Sequence, residues 1–139
     1  MGTRAVIRFV EQNGQVETCF GTAYKHYDGS PSRLGADILR HLNQGRARVV
    51  KHRTTNEEPP ESFHRMGQLA VYLLGALGRY NDDLRLCAEG QGLHHHGDAE
   101  YAYKLFTKED SEEIWLQLYH WSEEVFEGHL CSMPDYDRF

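Results

Sequence analysis

Two strand-forming segments flank a tight-turn signal near the start of the chain. Arg4–Val10 (RAVIRFV) and Gln15–Tyr24 (QVETCFGTAY) stand on either side of Glu11-Gln12-Asn13-Gly14. Asn-Gly favours the type I′ turn of a β-hairpin, because both central residues of that turn need positive φ. Apolar residues alternate along the first segment, as in a strand with one buried face. The sequence therefore predicts an N-terminal β-hairpin, and Gly21 in mid-strand predicts either a bulge or a close approach of another backbone.

The second strand leads into Tyr24-Lys25-His26-Tyr27-Asp28-Gly29-Ser30-Pro31. Asp-Gly is a turn signal, Ser is a common helix N-cap, and Pro is well suited to the first position of a helix. We expect the chain to pass here from strand to helix. His26 and Asp28 would then lie at a strand-to-helix junction, either as a base with its orienting carboxylate or as turn residues.

Two helices are predicted from apolar residues at helical spacing. The first runs from Pro31 to Gln44, and the second begins near Ser62 and continues past Leu77. Three glycines of the second helix, together with Val71, share one side of it (Gly67, Gly75 and Gly78). This side predicts close packing against another backbone.

After the second helix the apolar pattern changes to period two, which indicates strands. The predicted strands are Leu84–Glu89, Ala99–Phe106, Glu113–Trp121 and Glu124–Leu130, with a further short strand at Ala47–Val50. The predicted fold is a single α+β domain over residues 1–139. In it an antiparallel sheet, made of the N-terminal hairpin and a C-terminal meander, packs on two helices.

Composition points to a cytoplasmic protein. No apolar run is long enough to span a bilayer, and no apolar signal core follows the first residues. The three cysteines, Cys19, Cys87 and Cys131, are widely spaced and form no C-x-x-C pair. We expect free, mostly buried thiols in a reducing compartment.

Charge is distributed unevenly along the chain. Residues 1–70 carry 10 Lys and Arg against 7 Asp and Glu, whereas residues 71–139 carry 5 against 14. A negative surface disfavours nucleic acid as a partner and steers basic partners. The predicted acidic binding surface consists of Glu109, Asp110, Glu112, Glu113, Glu123, Glu124 and Glu127.

A histidine tract provides an alternative site. His94, His95, His96 and Asp98 lie between glycines, and imidazole is a common ligand of transition metals. With His26 they would form a metal centre; the alternative is an exposed hairpin loop without metal. The chain has no glycine-rich phosphate loop, and we expect no cofactor.

Aromatic residues are frequent in the predicted meander: Tyr101, Tyr103, Trp115, Tyr119 and Trp121. On a sheet face covered by helices they would be core residues. On an open face they would form a surface for a partner or for a second copy of the chain.

Three segments carry a resemblance. Met1–Ile7 (MGTRAVI) and Tyr24–Pro31 (YKHYDGSP) resemble a loose set of small phage and prophage-type bacterial proteins that open with M-[GS]-T-R-x-x-I and later carry Y-x-H-x-D-G-x-P. Gly97–Tyr103 (GDAEYAY) is similar to a G-D-x-E-Y-x-Y strand of that set. Ser30 stands where the set usually has Tyr. The resemblance implies a mobile-element context and brings no activity with it.

Two classes of function are therefore expected. The first is a non-enzymatic accessory or inhibitor protein that binds a bacterial protein or complex, without a membrane. One form is an anti-CRISPR-like factor whose acidic half occupies a basic nucleic-acid channel. The alternative is a small metal-dependent enzyme or metal-binding protein that uses His26, Asp28 and the His94–His96 loop.

Overall fold

The computed structural model describes residues 3–50, 61–79, 82–87 and 99–134. Six of its strands form one sheet in the order β5-β2-β1-β6-β7-β8, and the short β3 and β4 pair separately. All neighbours in the large sheet are antiparallel except β1 and β6, which are parallel. The predicted α+β fold is confirmed. The strands are β1 (Ala5–Asn13), β2 (Val16–Lys25), β3 (Arg48–Val50), β4 (Ser62–His64), β5 (Leu84–Leu86), β6 (Tyr101–Lys108), β7 (Trp115–His120) and β8 (Glu123–His129).

Two helical regions lie against this sheet. The first begins with a π-helical turn, Pro31–Gly35, and continues as α1 (Ala36–His41); the second is α2 (Arg65–Gly78). The first helix ends before the predicted Gln44, because Asn43 and Gln44 adopt φ values of +52° and +56°. The second begins later than predicted, since Ser62–His64 pairs with β3.

The helices cover one face of the sheet, called here the helix face. Ile7, Phe9 and Leu105 of the sheet pack there with Leu69 and Leu73 of α2. The opposite face, called the open face, buries a smaller cluster formed by Val6, Tyr24 and Ala102. Strand β1 is therefore buried on both faces, whereas its alternating sequence had predicted one buried face.

The hairpin turn lies one residue further along than predicted. Asn13 pairs with Val16, so the two loop residues are Gly14 and Gln15. Gly14 has φ of +62°, and Gln15 is not among the positive-φ residues. The predicted type I′ turn is therefore wrong, because that turn needs two positive φ angles. The predicted bulge is confirmed, since Gly21 and Cys19 oppose consecutive residues of β1.

A buried carboxylate attaches α2 to the sheet. Glu11 of β1 is 1% exposed, accepts the backbone N–H of Met66 at 2.9 Å, and pairs with the guanidinium of Arg65 at 3.0 Å. The first N–H groups of a helix have no hydrogen-bond partner inside the helix, and this carboxylate accepts one of them. Its negative charge also interacts favourably with the positive end of the helix dipole.

The glycine-rich side of α2 is open rather than packed against another backbone, so that interpretation was wrong. A Cβ added at Gly75 would meet nothing within 4 Å, and Val71 is 74% exposed. The neighbours found there are side chains: the ring of Phe20 lies 3.4 Å from a Cβ added at Gly67, and Leu84 lies 3.9 Å from one added at Gly78. The side consequently forms part of the molecular surface.

Candidate functional site

The segments that carry the resemblance meet at one end of the sheet. The carbonyl of Thr3 accepts the N–H of Gly29 at 2.7 Å, and the hydroxyl of Tyr103 donates to the carbonyl of Gly29 at 2.7 Å. The carbonyl of Arg4 accepts the N–H of Glu100 at 2.9 Å. We call this region the junction end; it joins the start of β1, the end of β2 and the start of β6.

Close approach of two backbones explains the glycine of the Asp-Gly pair. A Cβ at position 29 would lie 2.5 Å from the Cβ of Ala5 and 2.8 Å from the carbonyl oxygen of Thr3. No side chain fits there without displacing β1. Pro31 is buried and begins the helix, as predicted. These motif residues therefore have packing roles that need no ligand.

His26 and Asp28 are separated in sequence only by Tyr27, but no hydrogen bond or ion pair joins their side chains. The Nδ1 atom of His26 lies 3.1 Å from the hydroxyl of Tyr24, and its ring meets that of Tyr27 edge-on at 4.4 Å between centroids. Asp28 is exposed and left-handed, with φ of +57°, and its carbonyl accepts the N–H of Leu34. The junction thus supports a turn rather than a base with its orienting carboxylate.

A buried ion pair stabilises the same end. The ammonium of Lys25, which is 2% exposed, lies 3.0 Å from the carboxylate of Asp83, which also accepts the N–H of Tyr27 at 2.8 Å. Burial raises the pKa of Asp83, but the N–H of Tyr27 and the charge of Lys25 outweigh it and lower the pKa overall. Sequence reasoning missed this pair, since its members are 58 positions apart.

The seven acidic residues predicted as one surface form two groups. Glu109, Asp110, Glu112 and Glu113 precede β7, whereas Glu123 and Glu124 follow it. At a rise of about 3.3 Å per residue, the six residues of β7 separate the groups by roughly 20 Å. Glu127 pairs with Gln117 in mid-strand and faces the first group. We define the acidic end as Glu109, Asp110, Glu112, Glu113 and Glu127.

Three residues of the acidic end, Glu109, Asp110 and Glu127, line an open depression of about 460 Å³. Its lining residues are Gln12, Gly14, Lys108, Glu109, Asp110 and Glu127. The ammonium of Lys108 lies 3.9 Å from the ring centroid of Trp115, and so binds the ring rather than a carboxylate. Among the described residues, Glu113 alone of the five is in an ion pair, with His129 at 2.8 Å. The depression consequently carries excess negative charge.

The aromatic residues do not form one face. Tyr101 and Tyr103 belong to the core on the helix face, whereas Trp115 and Tyr119 lie on the open face. Trp121, in the turn after β7, is 57% exposed. The predicted aromatic surface is therefore divided between the two sides of the sheet.

The cysteines are free, as predicted, but the expectation that they are mostly buried was wrong. Cys19 and Cys131 are exposed, and Cys87 is half-buried. Burial alone raises the pKa of the Cys19 thiol, but the guanidinium of Arg8 and the hydroxyl of Thr22 outweigh it and lower the pKa.

The metal alternative falls largely outside the described residues, because His94, His95, His96 and Asp98 lie there. Across the ranges that the structure describes, no three His, Cys, Asp or Glu side chains are grouped as a metal site would require. His26 contacts tyrosines instead.

Comparisons with known proteins give no relative. The chain matches no protein-family model, no curated protein and no solved structure. Within the described part of the chain, no helix has the length and apolar character needed to cross a membrane. The fold and the geometry of these surfaces are thus the basis for a functional proposal.

Replacing Asp28 by Ala should lower stability by about 1 kcal/mol, because Ala tolerates positive φ poorly. Asp28→Gly, the matched control, should unfold at or above the urea midpoint of the native protein, since Gly adopts this conformation freely. An equal loss in both variants would contradict the backbone explanation and assign a role to the carboxylate.

Replacing Asp83 by Asn should destabilise the protein by about 3 kcal/mol at pH 7, because it removes a negative charge that lies 3.0 Å from the buried ammonium of Lys25. Because the folded protein lowers the pKa of Asp83, the ionised carboxylate contributes its full stability at pH values above its ordinary pKa of 3.8. This contribution is lost as the pH falls through the pKa of Asp83 in the folded protein. The native and Asp83→Asn proteins should therefore converge in acid. Asp37→Asn, in an exposed pair with Arg40, should cost under about 1 kcal/mol, and a pH-independent deficit in Asp83→Asn would contradict this account.

Protein purified without a tag or metal resin should contain far less than one equivalent of zinc, nickel, manganese or iron. The expectation follows from the glycines around His94–His96, which do not fix the imidazoles together. Elemental analysis is the measurement. Near-stoichiometric metal, lost in a His94→Ala/His96→Ala variant, would make metal-dependent chemistry the leading function.

Proposed function

We propose that the protein is a non-enzymatic binding protein that engages the basic surface of a bacterial protein through its acidic end. The observation that carries the proposal is the group of exposed carboxylates around the depression beside Lys108. Glu109 and Asp110 lie in a turn, and Glu127 reaches the same depression from β8. Side chains from separate elements thus present negative charge together.

The electrostatics of this group suit association with a basic partner. Exposed charges of one sign raise the rate of encounter with an opposite surface, and their effect falls as salt screens them. Lys108 offsets only one of the three carboxylates that line the depression, so negative charge remains in excess there. We infer that a partner supplies lysines or arginines to Glu109, Asp110 and Glu127, since no ion pair of these three carboxylates occurs within the described ranges.

An inhibitor of a nucleic-acid-binding defence complex, such as an anti-CRISPR-like protein, is one concrete form of this proposal. Carboxylates would then take the place of phosphates in a basic channel. The resemblance to phage and prophage-type proteins supports this form only through the mobile-element context that it implies. In this form a nucleic acid and the protein compete for one site on the partner.

Reversing charge at the acidic end should weaken partner binding at least severalfold and remove most of its salt dependence. The test variant is Glu109→Lys/Asp110→Lys, compared with the native protein in capture from bacterial lysate and then in titration of the captured partner. Glu123→Lys/Glu124→Lys is the matched control, since it changes net charge equally at the far end of β7.

Two outcomes would oppose the proposal. If both variants bind like the native protein, the acidic end is only a solvated surface. If both lose binding equally, net charge rather than this site is responsible. If an oligonucleotide competes with the protein for the captured partner, the protein occupies the nucleic-acid channel. If it does not compete, the protein binds a different basic surface of the partner.

A further inference from the structure

Part of β2 has no neighbouring strand on its outer side among the residues that the structure describes. Strand β5 pairs only with the end of β2, from Ala23 to Lys25, and the N–H of Cys87 extends this contact to the carbonyl of Thr22. Val16–Phe20 is exposed throughout and pairs on one side only, with β1, in the part of the chain that the structure describes. We call this segment the open edge. Such an edge presents unpaired N–H and C=O groups that can accept another strand.

The other edge of the sheet, β8, is protected against pairing. It carries Glu123, Glu124 and Glu127, and a register shift interrupts it near Val125. Charged side chains and bulges are devices that natural proteins use to block edge pairing. The open edge has one charged residue, Glu17, among residue types that favour strands. Of the two edges, β2 is therefore the one suited to accept a strand.

Apolar side chains lie beside the open edge. Thr18 and Val16 oppose Glu11 and Asn13 of β1, so they point to the helix face, as Phe20 does where it contacts Gly67. Val16 is 65% exposed and Phe20 is 40% exposed. One turn beyond Gly67, α2 exposes Val71. Several exposed apolar side chains beside a strand that pairs on one side only are typical of an interaction site.

The open edge is complementary to itself. If two copies align antiparallel with Thr18 opposite Thr18, Val16 of each copy opposes Phe20 of the other on the helix face. On the open face, Glu17 then opposes Cys19 of the second copy. The Nε atom of Arg8 donates to the Sγ of Cys19 at 3.4 Å, so this guanidinium lies beside the incoming carboxylate, which within its own chain pairs with the ammonium of Lys104 at 2.5 Å. A two-fold axis would create each apolar pair and each acid–base pair twice.

We propose that the open edge is a homodimer interface, in which the β2 strands of two copies pair antiparallel and join their two sheets into one. The occupant is a second copy because apolar residues meet on one face and opposite charges on the other. The interface uses none of the residues of the acidic end, so it is independent of the proposed binding function.

A cysteine at the symmetry axis tests the register. In a Cys19→Ser/Cys87→Ser/Cys131→Ser background, Thr18→Cys should form a disulfide-linked dimer on mild oxidation. Opposed residues of an antiparallel pair have Cα atoms about 4.5–5.5 Å apart, which is within the range of a disulfide. Glu123→Cys, on the protected edge, is the matched control and should remain monomeric. No cross-link at Thr18→Cys, or equal cross-linking in both, would overturn the proposal.

Sedimentation equilibrium measures the interface without a covalent bond. The native protein should dimerise, and Val16→Lys should raise its dissociation constant at least about tenfold by placing an ammonium against Phe20 of the second copy. An unchanged melting temperature at low concentration would show that Val16→Lys still folds. Trp121→Lys, at another exposed apolar residue (57% against 65% for Val16), should leave the dimer intact. A monomeric native protein, or dissociation by Trp121→Lys but not by Val16→Lys, would refute the open-edge dimer.

Discussion

The parallel pairing of β1 with β6 is the contact on which the rest of the fold depends. Eight residue pairs, from Ala5–Tyr101 to Gln12–Lys108, join the N-terminal hairpin to the C-terminal meander. A parallel pair needs a long crossover connection, and here the helices and β5 lie in that connection. The pairing buries β1 on both faces and brings Tyr103 to the carbonyl of Gly29. Both the core and the junction end follow from it.

Local patterns predicted much of this architecture. The hairpin, α2 and the meander strands were found because alternation and helical spacing are properties of neighbouring residues. The turn was misplaced by one residue, since Asn-Gly fits two overlapping loop positions and strand pairing selects between them. The β1–β6 pair and the contact of Lys25 with Asp83 join distant residues. A single sequence holds no local signal for such pairs.

The same reason limits prediction of the sites. Composition identified the acidic residues correctly as exposed, but their grouping depends on chain reversal. Residues that are close in sequence lie at opposite ends of the sheet when a strand separates them, as β7 separates Glu113 from Glu123. Because β8 runs back along β7, Glu127 lies near Glu109. At the junction, Asp28 was expected to cap a turn with its carboxylate. In the structure Asp28 contributes through its backbone, which has a positive φ, and the type of residue alone does not predict that conformation.

The acidic end and the open edge depend on different forces and respond differently to salt. Binding of a basic partner through Glu109 and Asp110 gains most from charge attraction, which salt screens. Pairing of two open edges brings together chains that each carry a formal charge of −6, so long-range repulsion opposes it. Salt relieves that repulsion, and contacts such as Val16 with Phe20 are apolar and are not screened. Rising salt therefore weakens the first association without weakening the second to the same degree, which distinguishes the two surfaces physically.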